Sequence, residues 1–201
     1  MGRQEVFLIL HGTGGNAPGH WQHFLARELR AAGKDVRYPR LPRASVPLLK
    51  NWMPSLAREL AGIDPDSRLT VVAHSRSCIL WMHHAAQHAQ GPPSVVAERV
   101  LLVAPPFHAQ EPEGPRLFFP APLSPEGTAN VARRTSIVAS DDDEFASFEE
   151  AERYAGGLAI PIFKLPSSGH ISPAYGYGDW PWVLSWCLSN ADLPPEPRYV
   201  S

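Results

Sequence analysis

The chain has 201 residues, 44% of them hydrophobic and 19% charged, with a formal net charge of -2. That length suits one domain able to bury roughly 70% of its unfolded surface and leaves little room for two. The near-neutral charge provides no basic face to hold a phosphate backbone, so nucleic acid is not an expected partner. The two cysteines, Cys78 and Cys187, lie far apart and outside any C-x-x-C or metal-ligand spacing, as free thiols of a reducing compartment would. Residues 1–5 lead directly into a strand with no apolar export segment, and valine at position 6 breaks the myristoylation pattern. The expectation is a soluble cytoplasmic protein that does not engage a membrane.

In chain order, short apolar runs alternate with helical patterns. Residues 6–11 read as a strand, after which Trp21, Phe24, Leu25 and Leu29 recur at helical spacing with Gly33 as a stop. A second strand covers 35–38. Asn51 is placed to cap a helix carrying Trp52, Leu56 and Leu60, with Pro54 in the first turn, where a missing N–H is tolerated. Strands at 69–73, 99–104 and 136–139 follow. Ser147 and Glu150 have capping-box spacing ahead of a helix over 151–155, with Gly156 and Gly157 as its stop. After a strand at 161–165, a last helix begins near Trp180-Pro181 and runs through Val183, Leu184 and Leu188.

Most of these runs are apolar on both faces, as buried parallel strands are. The expected architecture is a single α/β domain over 1–190, with about six parallel strands doubly wound into a three-layer sandwich. Beyond it, 191–201 reads as a proline-rich tail, exposed and dispensable. Ligands of such sheets bind beyond the carboxyl ends of the strands, so each candidate residue is judged by whether it stands there.

Ser75 stands there, in Val71-Val72-Ala73-His74-Ser75-Arg76-Ser77-Cys78. The stretch has the shape of the G-x-S-x-G nucleophile elbow of α/β-hydrolases, with Ala73 and Ser77, the next smallest choices, in place of both glycines. Two readings are open: a strained nucleophile, or a serine that caps the following helix. The first strand ends in His11-Gly12-Thr13-Gly14-Gly15, a loop that in this fold supplies one oxyanion donor while the residue after the nucleophile supplies the other; these are the amides of Thr13 and Arg76. The loop lacks both the P-loop and the dinucleotide glycine patterns. The last strand leads to His170, and the one before it to Ser140-Asp141-Asp142-Asp143-Glu144, which gives the order Ser, Asp, His. Spacing alone does not choose among the acids.

Taken together, the glycine loop with His20-Trp21, the V-A-H-S elbow, Leu102-Val103-Ala104-Pro105, Ala139-Ser140 with Asp143, Gly169-His170, Gly176-Tyr177-Gly178 and Trp180-Pro181 resemble a family. It is the YdeN-like group of small α/β-hydrolases, which includes retinoblastoma-binding protein nine; the likeness runs from about Val6 to Leu188. The resemblance implies a serine hydrolase with Ser75, Asp143 and His170 as its triad, the acid being the third residue after Ser140. The chain departs from the family at Ala73 and Ser77, at Arg76, and at Glu144, where proline usually follows the aspartate.

The expected chemistry is hydrolysis of small acyl esters through a serine acyl-enzyme, needing no metal or cofactor. The stretch 105–134, where larger relatives insert a lid, is short. Phe107, Leu117, Phe118 and Phe119 either line an apolar wall or pin this stretch to the core, and Phe107, Phe118 and Trp180 are the expected apolar contacts to substrate. Arg76 either favours an acidic substrate or pairs with a nearby carboxylate. Rival functions are a catalytically weak binding module and a small peptidase or amidase using the same residues. His84 and His88 share a helix face but lack a third ligand, and read as packed or solvated rather than as a metal site. His20, His23 and His83 read as structural or surface residues, and His74 as packing around the elbow.

Overall fold

Along the first strand Val6, Leu8 and Leu10 face one apolar cluster while Phe7 and Ile9 face another, so the strand is covered on both sides. Val71 and Ala73 against Val72, and Val100 and Leu102 against Leu101 and Val103, repeat the division. The computed structural model describes residues 3–107, 118–189 and 194–197. In chain order they form β1 (Glu5–Leu10), α1 (Trp21–Ala31), β2 (Asp35–Arg37), α2 (Leu49–Ala61), β3 (Arg68–His74), α3 (Arg76–Gln87) and β4 (Arg99–Val103). Then come α4 (Pro125–Val131), β5 (Thr135–Ser140), α5 (Phe148–Leu158), β6 (Ile162–Leu165), a 3₁₀ turn (Pro173–Tyr175) and α6 (Pro181–Leu188).

The strands make one parallel sheet in the order β2-β1-β3-β4-β5-β6. Apolar side chains of α1 and α6 join one cluster and those of α2, α3, α4 and α5 the other, which gives the expected three layers. The chain reverses its winding between β1 and β3, so the crevice at their carboxyl ends is the place where such a sheet receives a ligand. Register brings the ends together: Leu10 pairs with Ala73, Ala73 with Leu102, and Ser140 with Leu165. The loops that follow β1, β3, β5 and β6 therefore share one edge.

Three local expectations need correction. Asn51 does not cap α2: the helix starts at Leu49, and the amides of Asn51 and Trp52 both donate to Leu48 O. Pro54 consequently lies inside the helix rather than in its first turn, tolerated because Trp52, Leu56 and Leu60 are buried on the core side. Gly156 and Gly157 do not stop α5, which continues to Leu158 and ends where Ala159 turns left-handed (φ 56°). Glycine costs a helix about 1 kcal/mol relative to alanine, a penalty that burial of Ala151, Ala155 and Leu158 outweighs. The capping box of Ser147 and Glu150 is present. Helix α4, for which the sequence reading set no element, opens with Ser124 accepting from the Gly127 amide and Pro125 in the first turn. Among the described residues no helix is long and apolar enough to cross a membrane.

Of the described tail residues 194–197, Glu196 is tied to the domain. Trp180, fully buried between Trp21, Tyr177 and Trp182, donates its indole N–H to Glu196 O at 2.8 Å. Removing residues 194–201 takes away that acceptor and is expected to lower stability by about 1–3 kcal/mol. Urea unfolding of the truncated and full chains measures this, and equal midpoints would return the tail to the dispensable role read from its composition.

Candidate active site

Strand β3 delivers Ser75 into a backbone conformation that serine seldom adopts, φ 56° and ψ −129°. Such a position costs roughly 1–3 kcal/mol and persists only where the surroundings enforce it. Here the Ser75 amide donates to Val103 O at 2.9 Å, and Ser75 O accepts from the Cys78 amide at 2.8 Å to begin α3. The hydroxyl does not cap that helix. It meets His170 Nε2 at 2.8 Å instead.

The small-residue demand of the turn is met in two ways. Ala73 is fully buried, and Ser77, also fully buried, turns its hydroxyl into a donor to His11 O, lashing the end of β1 to the first turn of α3. The glycine that the crossing does require is Gly12. A Cβ there would fall 2.7 Å from Ser75 Cβ and 3.1 Å from its Oγ.

The acidic run, exposed at Asp141, Asp142 and Glu144, also clamps the loop after β6. Ser140 Oγ accepts from the Ser168 amide at 2.9 Å, Asp141 from the Ser167 amide at 2.8 Å, and Asp142 from the Gly169 amide at 2.7 Å. Asp142 also accepts from the Ser140 hydroxyl at 2.6 Å, and that hydroxyl, followed by the backbone donors, holds its carboxyl below the usual range. Asp143 is the member that reaches the ring. Its two oxygens lie 3.0 and 2.8 Å from His170 Nδ1, and Oδ1 also accepts from the Phe145 amide at 2.9 Å. With its side chain 3% exposed, Asp143 is removed from solvent. An accepting carboxylate puts the ring proton on Nδ1 and leaves Nε2 as the acceptor for Ser75.

Three more imidazoles surround this chain. His11 accepts from the Leu41 amide at Nε2 (2.9 Å), so its Nδ1–H donates to Gly12 O (2.7 Å). His74 donates from Nε2 to His170 O at 3.0 Å, fixing the backbone of that residue. His20 caps α1 by accepting the Gln22 amide at Nδ1, 3.2 Å away. Burial lowers the pKa of all three, His20 to about 4 and His74 well below its ordinary value, these two pushed further by the charge of neighbouring histidines. Above Ser75 opens a cavity of about 890 Å³, walled by the glycine loop, His20, Arg76, Phe145, His170 and the stretch from Ser172 to Ala174.

The hydrogen-bonded row of serine hydroxyl, imidazole and carboxylate sits in a chain that is matched over nearly its whole length. The family model described as "Serine hydrolase" covers residues 7–188. The chain belongs to the serine hydrolase family. No curated protein matches it by sequence. Among solved structures it is similar to the ydeN gene product of Bacillus subtilis, at 21% identity and a TM-score of 0.75, over 91% of this chain and 96% of that one. A YdeN-like hydrolase of Pectobacterium atrosepticum is also 21% identical, with a TM-score of 0.65 over 91% and 88%. A structure from work on the metagenome-derived lipolytic enzymes LipS and LipT is 15% identical, with a TM-score of 0.68 over 94% and 93%. At these identities the likeness is one of fold.

In this serine hydrolase, Ser75, Asp143 and His170 come together, and Thr13 and Arg76 lie at the cavity wall. The three expected substrate contacts do not. Phe118 is fully buried against Trp52, Phe107 stacks on Tyr154 at 3.9 Å, and Trp180 belongs to the core under α1. Leu117 lies outside the described residues. The aromatic that does line the cavity is Phe145, 38% exposed and edge-on to His170 at 4.6 Å. Its signal in the sequence is a lone aromatic directly after the acidic run.

Arg76 donates from Nε to Thr13 Oγ1 at 3.1 Å, with its guanidinium 5.2 and 5.7 Å from the ring centres of Phe118 and Phe119. Glu144, in the place of the family's proline, accepts from the Tyr175 hydroxyl at 2.8 Å. The rings of His84 and His88 are 4.5 Å apart, and among the described residues no group of three or more His, Cys, Asp or Glu is arranged to hold a metal.

Because two Cβ atoms cannot approach to 2.7 Å, Gly12→Ala is expected to displace the elbow, slowing phosphonate labelling of Ser75 by about 100-fold or more; an undiminished rate would show that the crossing can open without cost. Asp142 gives a test by pH. Its folded pKa is depressed, so its charge-linked stability is present above the unfolded value of about 3.9 and is lost as pH falls through the folded one. The stability gap between native protein and Asp142→Asn should be constant above about pH 5 and close below about pH 4 in thermal melts, whereas a gap independent of pH would refute the assignment.

Proposed function

We propose that this protein hydrolyses small carboxylic esters through a covalent Ser75 intermediate. The observation that carries the reading is the unbroken hydrogen-bond chain from the Asp143 carboxylate through His170 to Ser75 Oγ, with Asp143 buried and Ser75 strained toward the cavity. Ser75 Oγ attacks the carbonyl carbon as His170 Nε2 takes its proton, giving a tetrahedral oxyanion. The amides of Thr13 and Arg76 receive that charge. In support, Arg76 supplies the first amide of α3, a position whose N–H points away from the helix's own carbonyls. The intermediate collapses, the C–O bond breaks, and His170 returns the proton to the departing alcohol. Water then attacks the acyl-enzyme by the same proton route and releases the acid.

Asp143 holds the imidazole in the productive tautomer and stabilises it when it is charged. The open cavity and its partly apolar wall at Phe145 favour short acyl groups. An ester rather than an amide is favoured by the lipolytic activity that LipS and LipT are named for.

Intact-mass analysis after fluorophosphonate treatment tests the reading. The native protein should gain one adduct on Ser75, absent in Ser75→Ala and His170→Ala. Against 4-nitrophenyl butyrate, Ser75→Ala is expected to lose about 10⁶ in kcat. Asp143→Asn should lose about 10⁴, while Asp142→Asn stays within roughly tenfold of native because its carboxylate does not touch the ring. An unlabelled, folded native protein would leave a hydrolase fold used for binding, and equal losses at 142 and 143 would remove Asp143 from its role.

A further inference from the structure

His20 is more than a helix cap. A cap needs one acceptor, which asparagine, serine or aspartate supplies with fewer buried atoms. The imidazole brings a second nitrogen. Its Nδ1 accepts the Gln22 amide, so in the neutral ring the proton must sit on Nε2. The ring is held on two sides, by Trp21 at 5.3 Å and by His74 at 4.8 Å between centroids. His20 is 8% exposed and lines the cavity that contains Ser75, and among the described residues nothing accepts from its Nε2. His20 Nε2 is not among the buried unpartnered nitrogens of the described residues, so at the wall of this open cavity its N–H, fixed in direction from behind, is satisfied by water until a ligand oxygen takes its place.

We propose that His20 is a specificity-determining residue whose Nε2–H binds an acceptor oxygen of the substrate other than the scissile carbonyl. The substrates it selects are esters whose acyl part carries an ether, hydroxyl or keto oxygen near the reacting bond. The inference rests on Ser75 being the nucleophile of this cavity. His20 stays neutral well below pH 7, its pKa lowered to about 4 by burial and by the nearby His170, so the donor does not change with pH across the working range. Neutral imidazole at a helix N-terminus is a suitable donor toward oxygen because the positive helix end disfavours the cation.

The test compares 4-nitrophenyl methoxyacetate with 4-nitrophenyl butyrate, which differ by an oxygen in place of a methylene. The quantity read is the ratio of their kcat/KM values, taken across variants so that the intrinsic reactivity of the two esters cancels. His20→Asn retains an acceptor for the Gln22 amide but withdraws the donor from the cavity, and its ratio should fall roughly tenfold below native. His20→Gln can place an amide N–H near the position of Nε2 and should recover part of the ratio while losing thermal stability through the weakened cap. A native ratio retained in His20→Asn at unchanged thermal stability overturns the proposal. If neither ester is turned over and Ser75 takes no phosphonate, the reading of the site fails and this inference fails with it. Labelling with turnover but no shift in ratio defeats the inference alone.

Discussion

The approach of the Gly12 backbone to Ser75 is the constraint on which the rest of the site depends. At this crossing the end of β1 lies over the β3–α3 turn so closely that no side chain fits between them. Ser75 therefore cannot relax toward an ordinary conformation without pushing into the glycine loop, and the loop cannot rise without losing the Ser77 contact to His11 O. The strain at Ser75 is thus held by packing on one side and by hydrogen bonds to Val103 O and from Cys78 on the other. This explains how alanine and serine can occupy the two elbow positions that are usually glycine. The close approach that demands a missing Cβ has been taken by Gly12, and the additional hydroxyl at Ser77 closes the gap it would otherwise strain.

A second constraint places His170. Four successive residues, 140–143, each bind one position of the loop 167–170, so the loop is held along its length rather than at its tip. Adjacent carboxylates repel one another, and the repulsion is bearable because each has its own N–H donor and because Asp141 and Asp142 remain near solvent. Gly169 completes the arrangement: its φ of +50° turns the chain, and a Cβ there would lie 2.0 Å from the Tyr175 ring. Tyr175 in turn donates to Glu144, so the acid run grips the residues after the histidine as well as those before it.

These two constraints account for what could be read in the sequence. The four inner strands were legible because a strand buried on both faces reads as a mostly apolar run, the half-buried edge strands β2 and β6 by their place between helical patterns, and the order of Ser75, the acidic run and His170 followed from where those strands end. What was not legible depends on side chains meeting across the fold. Phe107, Phe118 and Phe145 are alike as letters, yet only Phe145 reaches the cavity, since the other two are taken up against Tyr154 and Trp52. Asp143 could be separated from Asp142 by resemblance but not by spacing, because both are used by the same loop and differ only in whether they meet an amide or a ring. Helix α4 is short and has little periodicity; its Ser124-Pro125 start was its one local signal.

The histidines show how polar rings can pack around Ser75 and His170 without adding charge. In the proposed mechanism a buried charge beside His170 would compete for the field of Asp143 and oppose the imidazolium formed during attack. His11, His20 and His74 avoid this by being neutral, and each has its tautomer fixed by a backbone partner. They therefore act as oriented dipoles that need no reorganisation as charge develops, occupying space that mobile water would otherwise fill. His74 uses its donor to hold the backbone of His170, and His11 ties the glycine loop at Gly12 O to the Leu41 amide, so these bonds are directed into the scaffold. His20 commits only Nδ1 to the scaffold, which leaves its Nε2–H for the proposed contact to substrate.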